Sequence, residues 1–218
     1  PALGRGALTM AIELVTTDGI FALDGGEWEV TNNIWIVGDD RDVLVFDAAH
    51  DHEPIAAAVN GRRVAAIVCT HGHNDHINAA VALREAVDAP VLLHPDDRML
   101  WDAVHPHHQP DGELAPGESL RAGGHELGIV HTPGHSPGCC CFHDAADSRV
   151  LSGDTLFCGG PGATGRSFSD EPTILRSIRD RLLSLPDETV VHTGHGDSTT
   201  IGAERDGVLQ RMGELGLA

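Results

Sequence analysis

The chain has 218 residues, 41% of them hydrophobic, which is enough for a buried core and argues against wholesale disorder. Its 33 acidic side chains against 14 basic ones give a formal charge of −19, so the basic patches that bind nucleic acid or anionic membrane are missing and neither is an expected partner. No apolar run could cross a bilayer and the first residues lack a secretory core, so a cytoplasmic protein is expected, with residues 1–10 a tail ahead of one domain from 11 to 218.

In chain order, short β-branched or aromatic runs closed by Gly, Asp, Asn or Pro read as strands. They lie around Ile12 to Val15 and at NIWIVG, DVLVFDA, VAAIVCT, PVLLH, LGIVHT, CCCFHD, RVLSGDT and TVVHTGH. Apolar residues at helical spacing predict helices over HINAAVALREAVD, over EPTILRSIRDRLLSL and from Ala203 to Leu215. The Pro-, His- and Asp-rich stretch from His94 to Gly117 reads as a long surface connection, which would leave His105, His107 and His108 exposed or on a lid. Strands alternate with helices without a composition break, so the fold class is α/β.

The basic residues are all arginine, and both lysine and tyrosine are absent. Cysteines occur at 69, 139, 140, 141 and 158. Neighbours in a strand point to opposite faces, so the CCC triplet predicts reduced thiols in a core strand rather than disulfides. Cys158 is the thiol expected to be able to face a cleft.

Many of these strands end in a residue able to bind metal: His71, His135, Asp154 and His195. Active sites of α/β folds gather where strands end in loops. His71 and His73, two apart in an extended loop, can face one ion, and Asp75 and His76 at the start of a helix can face a second. Asn74 or Asp75 is placed to cap that helix. His131 and His192 precede loop histidines by a few residues and read as core or supporting groups. Asp47, ending VLVFDA, is a candidate acceptor for the N–H of a ligand imidazole.

Four motifs carry a resemblance: HGHNDH at 71–76, HTPGHSPG at 131–138, SGDTLF at 152–157 and TGHGD at 193–197. Together they resemble the metallo-β-lactamase fold superfamily, and within it the hydroxyacylglutathione hydrolase (glyoxalase II) group and its short bacterial relatives. The resemblance implies a four-layer αβ/βα sandwich and two divalent ions. Zinc is the expected metal, with iron or manganese as alternatives. It places the first ion on His71, His73 and His135, the second on Asp75, His76 and His195, and Asp154 between them. Asp75 would also orient the attacking hydroxide or accept its proton.

The implied activity is hydrolysis of a thioester of a small thiol by metal-bound hydroxide, because a thiolate leaves without a proton donor. The long glutathione enzymes add a helical C-terminal domain and lysine and tyrosine contacts. Only about 23 residues follow His195 here, so another thiol carrier fits as well. Arg166 is a candidate contact for a substrate anion, beside the plainer reading of a surface arginine. The alternatives are a mononuclear-iron persulfide dioxygenase and, further off, a lactonase or another hydrolase of this fold. The expected partner is a small-molecule substrate; the oligomeric state stays open, a homodimer included.

Overall fold

Apolar runs without polar alternation need cover on both faces of a sheet. In the computed structural model, which describes residues 11–217, two such sheets stack against each other. The first begins with a long antiparallel hairpin of β1 (Ala11–Leu23) and β2 (Gly26–Gly38). It continues through β3 (Asp42–Phe46), α1 (His52–Val59), β4 (Arg63–Val68), α2 (Asn74–Ile77), α3 (Ala80–Val87), β5 (Val91–Leu93), α4 (Arg98–Val104) and β6 (Gly112–Glu113). Its strand order is sequential, antiparallel to β3 and parallel beyond it.

The second sheet is built from β7 (Ser119–Ala122), β8 (His125–His131), β9 (Cys140–Asp144) and β10 (Arg149–Gly153). After a small hairpin, β11 (Leu156–Phe157) with β12 (Gly160–Pro161), and helix α5 (Glu171–Ser177), it is completed by β13 (Val190–Thr193) and β14 (Thr199–Thr200). Helix α6 (Ile201–Glu214) follows. The strand order is β14-β13-β10-β9-β8-β7.

Side-chain alternation divides the core into layers. Trp35, Val37, Leu44, Phe46 and Val68 meet Leu127, Ile129, Phe142 and Leu151 between the sheets. The alternate residues Ile34, Ile36, Val43, Val45 and Ile67 face outward beneath Ile55, Leu83 and Trp101 of α1, α3 and α4. On the other side, Cys141, Val150 and Val191 are covered by Ile174, Val208 and Met212 of α5 and α6. The result is the expected four-layer α/β sandwich. No helix among the described residues is long and apolar enough to cross a membrane.

Several expectations are corrected. The first strand extends well past Val15, because β1 pairs with β2 along its whole length even through the polar Thr16–Gly19 stretch. Helix α1 was unexpected: its buried face is only Ile55 and Val59, too sparse for a periodic signal, and Asp51 starts it by accepting from Glu53 N. The helix expected over 76–88 is broken between α2 and α3, where Ala79 N donates to Ala48 O and the Asn78 side chain accepts from His50 N. The helix expected over 171–185 loosens after Ser177 into a π turn, Ile178–Leu182.

The stretch from 94 to 117 is not a surface connection. It contains α4 and β6 and buries Asp97, Trp101 and Leu114, with Trp101 Nε1 donating to His108 O at 2.9 Å. Within it His107 and His108 are exposed, whereas His105 is half-buried with its ring 2.8 Å from Ile77 O. Cysteines 69, 139, 140 and 141 are buried and unpaired, and the free thiol of Cys158 is exposed. The expected tail, 1–10, lies outside the described residues.

Candidate metal centre

The two sheets bring their loop ends together at one edge. The loop after β4 supplies His71 and His73, and α2 supplies Asp75 and His76. The second sheet supplies His135 after β8, Asp154 at the end of β10 and His195 after β13. Cross-sheet bonds fix this edge: Cys140 N donates to Thr70 O at 2.8 Å and Trp35 Nε1 to Thr193 O at 2.9 Å. All seven predicted residues converge.

Three groups have possible ligand atoms within 4.8 Å of one another: His71, His73 and His135; Asp75, His76 and His195; and His71, His76 and Asp154. Asp154 stands between the first two groups, its Oδ2 3.5 Å from both His135 Nε2 and His195 Nε2 and its Oδ1 3.4 Å from His76 Nε2. Asp75 Oδ2 lies 3.3 Å from His195 Nε2.

The outer imidazole nitrogens are held by fixed acceptors. His76 Nδ1 lies 3.0 Å from Asp47 Oδ2, His135 Nδ1 2.8 Å from Ala163 O, and His195 Nδ1 2.8 Å from Thr31 O. Donating there leaves each Nε2 lone pair facing inward. His73 Nε2, His135 Nε2, Asp75 Oδ1 and Asp154 Oδ1 are buried with no hydrogen-bond partner. Orphaned polar atoms are costly unless something binds them, and imidazole with carboxylate suits zinc, iron or manganese. The donor set therefore fits two divalent ions.

The clustered groups act on one another's charge, and an ion would bind His195 only as the ring gives up its proton. Burial, then the neighbouring His76, holds His71 well below the usual imidazole range, and burial, then His135, takes His73 down to about 3. Burial also opposes charge on His195, but Asp154, helped by Asp75, lifts it to about 10. Burial would raise Asp75, yet His76 and His195 pull it below the ordinary carboxylate value.

Asp47 lies where the sequence reading put it, and it does more: it accepts from Thr70 N at 2.7 Å and Thr70 Oγ1 at 2.9 Å as well as from His76. Neither Asn74 nor Asp75 caps α2. Asn74 instead accepts from Ala22 N and donates to Ile20 O, tying the loop to the hairpin. His131 stacks on His94 and His192 packs on Trp35, both away from the centre.

Two contributors were missed. Asn32, fully buried on β2, donates to Asp75 Oδ2 at 3.2 Å and accepts from His50 Nε2 at 2.8 Å. Asp97 binds both ligand loops of the first group. Neither sits in a local motif; each is joined to its partners by long loops in the chain.

A cavity of about 200 Å³ opens over the centre, walled by Phe21, Val30, Phe157 and Arg166. The Arg166 guanidinium lies 3.9 Å above the Trp28 ring and 5.1 Å from that of Phe21. Cys158 does not line this cavity. Larger surface hollows beside Arg84 and beside Asp18 carry no comparable cluster. Elsewhere His94, Asp96 and His131 approach one another, but the two rings stack at 11°, so their in-plane lone pairs run parallel. At His125, Asp144 and Asp147, Arg149 already pairs with the carboxylates.

The profile of the metallo-beta-lactamase superfamily matches residues 28–195. The probable metallo-hydrolase YqgX of Bacillus subtilis is 35% identical over 189 residues, covering 80% of this chain and 89% of its own. The hydroxyacylglutathione hydrolase GloC of Haemophilus influenzae is 30% identical over 187 residues, covering 79% and 87%. Among solved structures, the di-iron-bound form of TTHA1623 superposes with a TM-score of 0.73 at 35% identity, covering 81% of this chain and 93% of its own.

Proposed function

The chain belongs to the metallo-beta-lactamase superfamily, and from that premise we propose that it is a dinuclear metallohydrolase cleaving thioesters of a small, anionic thiol. The observation that carries the reading is the placement of Asp154 between two three-residue groups, each of which has a buried polar atom without a hydrogen-bond partner, His135 Nε2 in one and Asp75 Oδ1 in the other. His71, His73 and His135 would hold one ion, Asp75, His76 and His195 the other, and Asp154 would touch both. Two such ions, when bound, bring the pKa of a shared water towards neutrality and polarise a carbonyl.

The chain's own groups supply the rest. Asp75 is held towards its ionised form, lines the cavity and has Oδ1 without a hydrogen-bond partner, so it can orient a water or take its proton. Asn32 holds its other oxygen in place. Phe21 and Phe157 give the cavity apolar walls. Arg166 is the permanent cation of this wall, seated over Trp28, where it can receive a carboxylate of the substrate.

The leaving group supports this substrate class. An amine or alkoxide needs a proton as it departs, and the cavity wall has neither lysine nor tyrosine to give one, only side chains assigned to the ions. A thiolate leaves without that help. The likeness to the GloC hydrolase supports the same reading, and the likeness to a protein solved with two irons supports iron as well as zinc. A cytoplasmic setting, where the free thiols would stay reduced, accompanies this proposal.

The test is a panel with one protein preparation: acyl thioesters of several thiols, a lactone, a β-lactam, and a thiol persulfide in an oxygen electrode. Thioesters should give the highest kcat/KM. Preference for the lactone or the β-lactam, or oxygen-dependent turnover of the persulfide, would overturn the thioesterase reading.

A further inference from the structure

The first group of histidines draws on both sheets. His71 and His73 follow β4, whereas His135 lies in the loop between β8 and β9. Some element must hold the two loops in register, since a ligand set displaced by a fraction of an ångström loses its grip on an ion. Asp97, at the start of α4, is fully buried between them. Its Oδ2 accepts from Gly72 N at 2.7 Å and from Ser136 Oγ at 2.6 Å, and its Oδ1 accepts from Gly138 N at 2.6 Å. Gly72 separates His71 from His73, and Ser136 follows His135 directly.

We propose that Asp97 is a positioning residue that sets the geometry of the His71, His73 and His135 group by tying its two loops to one carboxylate. All three partners donate, and only a carboxylate offers two acceptor oxygens with no donor of its own. The glycines serve the same contact. A Cβ at Gly138 would stand 2.7 Å from Asp97 Cγ, and one at Gly72 3.0 Å from Asp97 Cβ and 2.8 Å from Leu100 Cβ. The Asp75, His76 and His195 group is held by other residues: Asn32, Asp47 and the Thr31 carbonyl. Loss of Asp97 should therefore disturb one group and spare the other. This inference rests on the reading that the two groups hold separate ions.

Asp97→Asn keeps the shape but turns an amide donor towards one of the three N–H or O–H groups. Metal-stripped wild type and variant are titrated with cobalt(II) against a competing chelator, which gives an affinity for each ion without any activity assay. One ion should bind as in wild type and the other about 10–100-fold more weakly, the usual range for loss of an outer partner. His135→Ala identifies the affected site: adding Asp97→Asn to it should change the remaining affinity little, because both substitutions act on the same group. Ser136→Ala, which removes one tie and leaves the carboxylate in place, should weaken the same ion several-fold and carries the test if Asp97→Asn does not fold. Equal weakening of both ions, no weakening of either, or additive losses in the double variant would overturn the assignment while leaving the two-ion reading intact. A wild type that takes up no cobalt would overturn both.

Discussion

Gly194 passes directly over Asp154. A Cβ on Gly194 would fall inside the contact distance of Asp154 Oδ1 and 2.9 Å from His76 Cε1, so the loop that delivers His195 reaches the centre only because position 194 has no side chain. Gly194→Ala should push Asp154 and His195 apart, with a stability cost of about 1–3 kcal/mol from overpacking. Metal affinity should fall by at least about tenfold, in the manner of a displaced ligand support. Equilibrium dialysis and urea unfolding check this; unchanged values of both would show that the loop can yield.

Asp47 serves Thr70 and His76 at once, and it holds a left-handed backbone conformation, φ 59°, to do so. Asp47→Ala takes the acceptor from the buried Thr70 N–H, the Thr70 hydroxyl and the His76 Nδ1–H. The expected destabilisation is at least about 2–4 kcal/mol, from unsatisfied buried donors. Asp47→Asn, which keeps one acceptor, should cost less. Urea melts of both variants read the order directly, and an Asn variant as damaged as the Ala variant would contradict it.

The seven converging residues were legible because they fall into four short motifs, each closing a strand that is apolar on both faces. Trp35, Val45, Phe46 and Val68 could be read as buried strand residues without knowing which layer each faced. What escaped was carried by pairing over distance. The Thr16–Gly19 segment becomes strand only because β2 lies beside it. Asn32 and Asp97 look like ordinary turn or strand polar residues until Asp75, Gly72 and Gly138 arrive from far along the chain. The stretch from 94 to 117 reads as a surface connection because its Pro, His and Asp content outweighs Leu100, Trp101 and Leu114, the residues that bury it.

Arg166 should discriminate by charge. Arg166→Gln removes a cation from the cavity wall, and a charge-assisted hydrogen bond contributes about 1.5–3 kcal/mol. For a thioester with a carboxylate in reach, KM should rise about 10–100-fold with kcat nearly kept; for a neutral thioester both constants should stay near wild type. Equal loss on the two substrates would mean that Arg166 supports the Phe21 and Trp28 wall rather than binding an anion.

His192 makes a separate prediction about pH. Burial, then the nearby Arg149, lowers its pKa to about 4, so the fold favours the neutral ring on Trp35. A group whose folded pKa lies below its unfolded value near 6.5 contributes fully above that value and loses its contribution as pH falls towards 4. His192→Gln removes this titration. Relative to the variant, wild type should lose stability between pH 6.5 and 4, and a pH-independent gap between their urea midpoints would contradict the assignment.

The two-ion centre is tested most directly by elemental analysis of protein purified without added metal, wild type beside Asp154→Ala. The wild type should approach two ions per chain, and because Asp154 stands 3.5 Å from both His135 and His195, the variant should lose both in step. A single tightly held iron in the wild type, or two ions retained by Asp154→Ala, would contradict a shared dinuclear site.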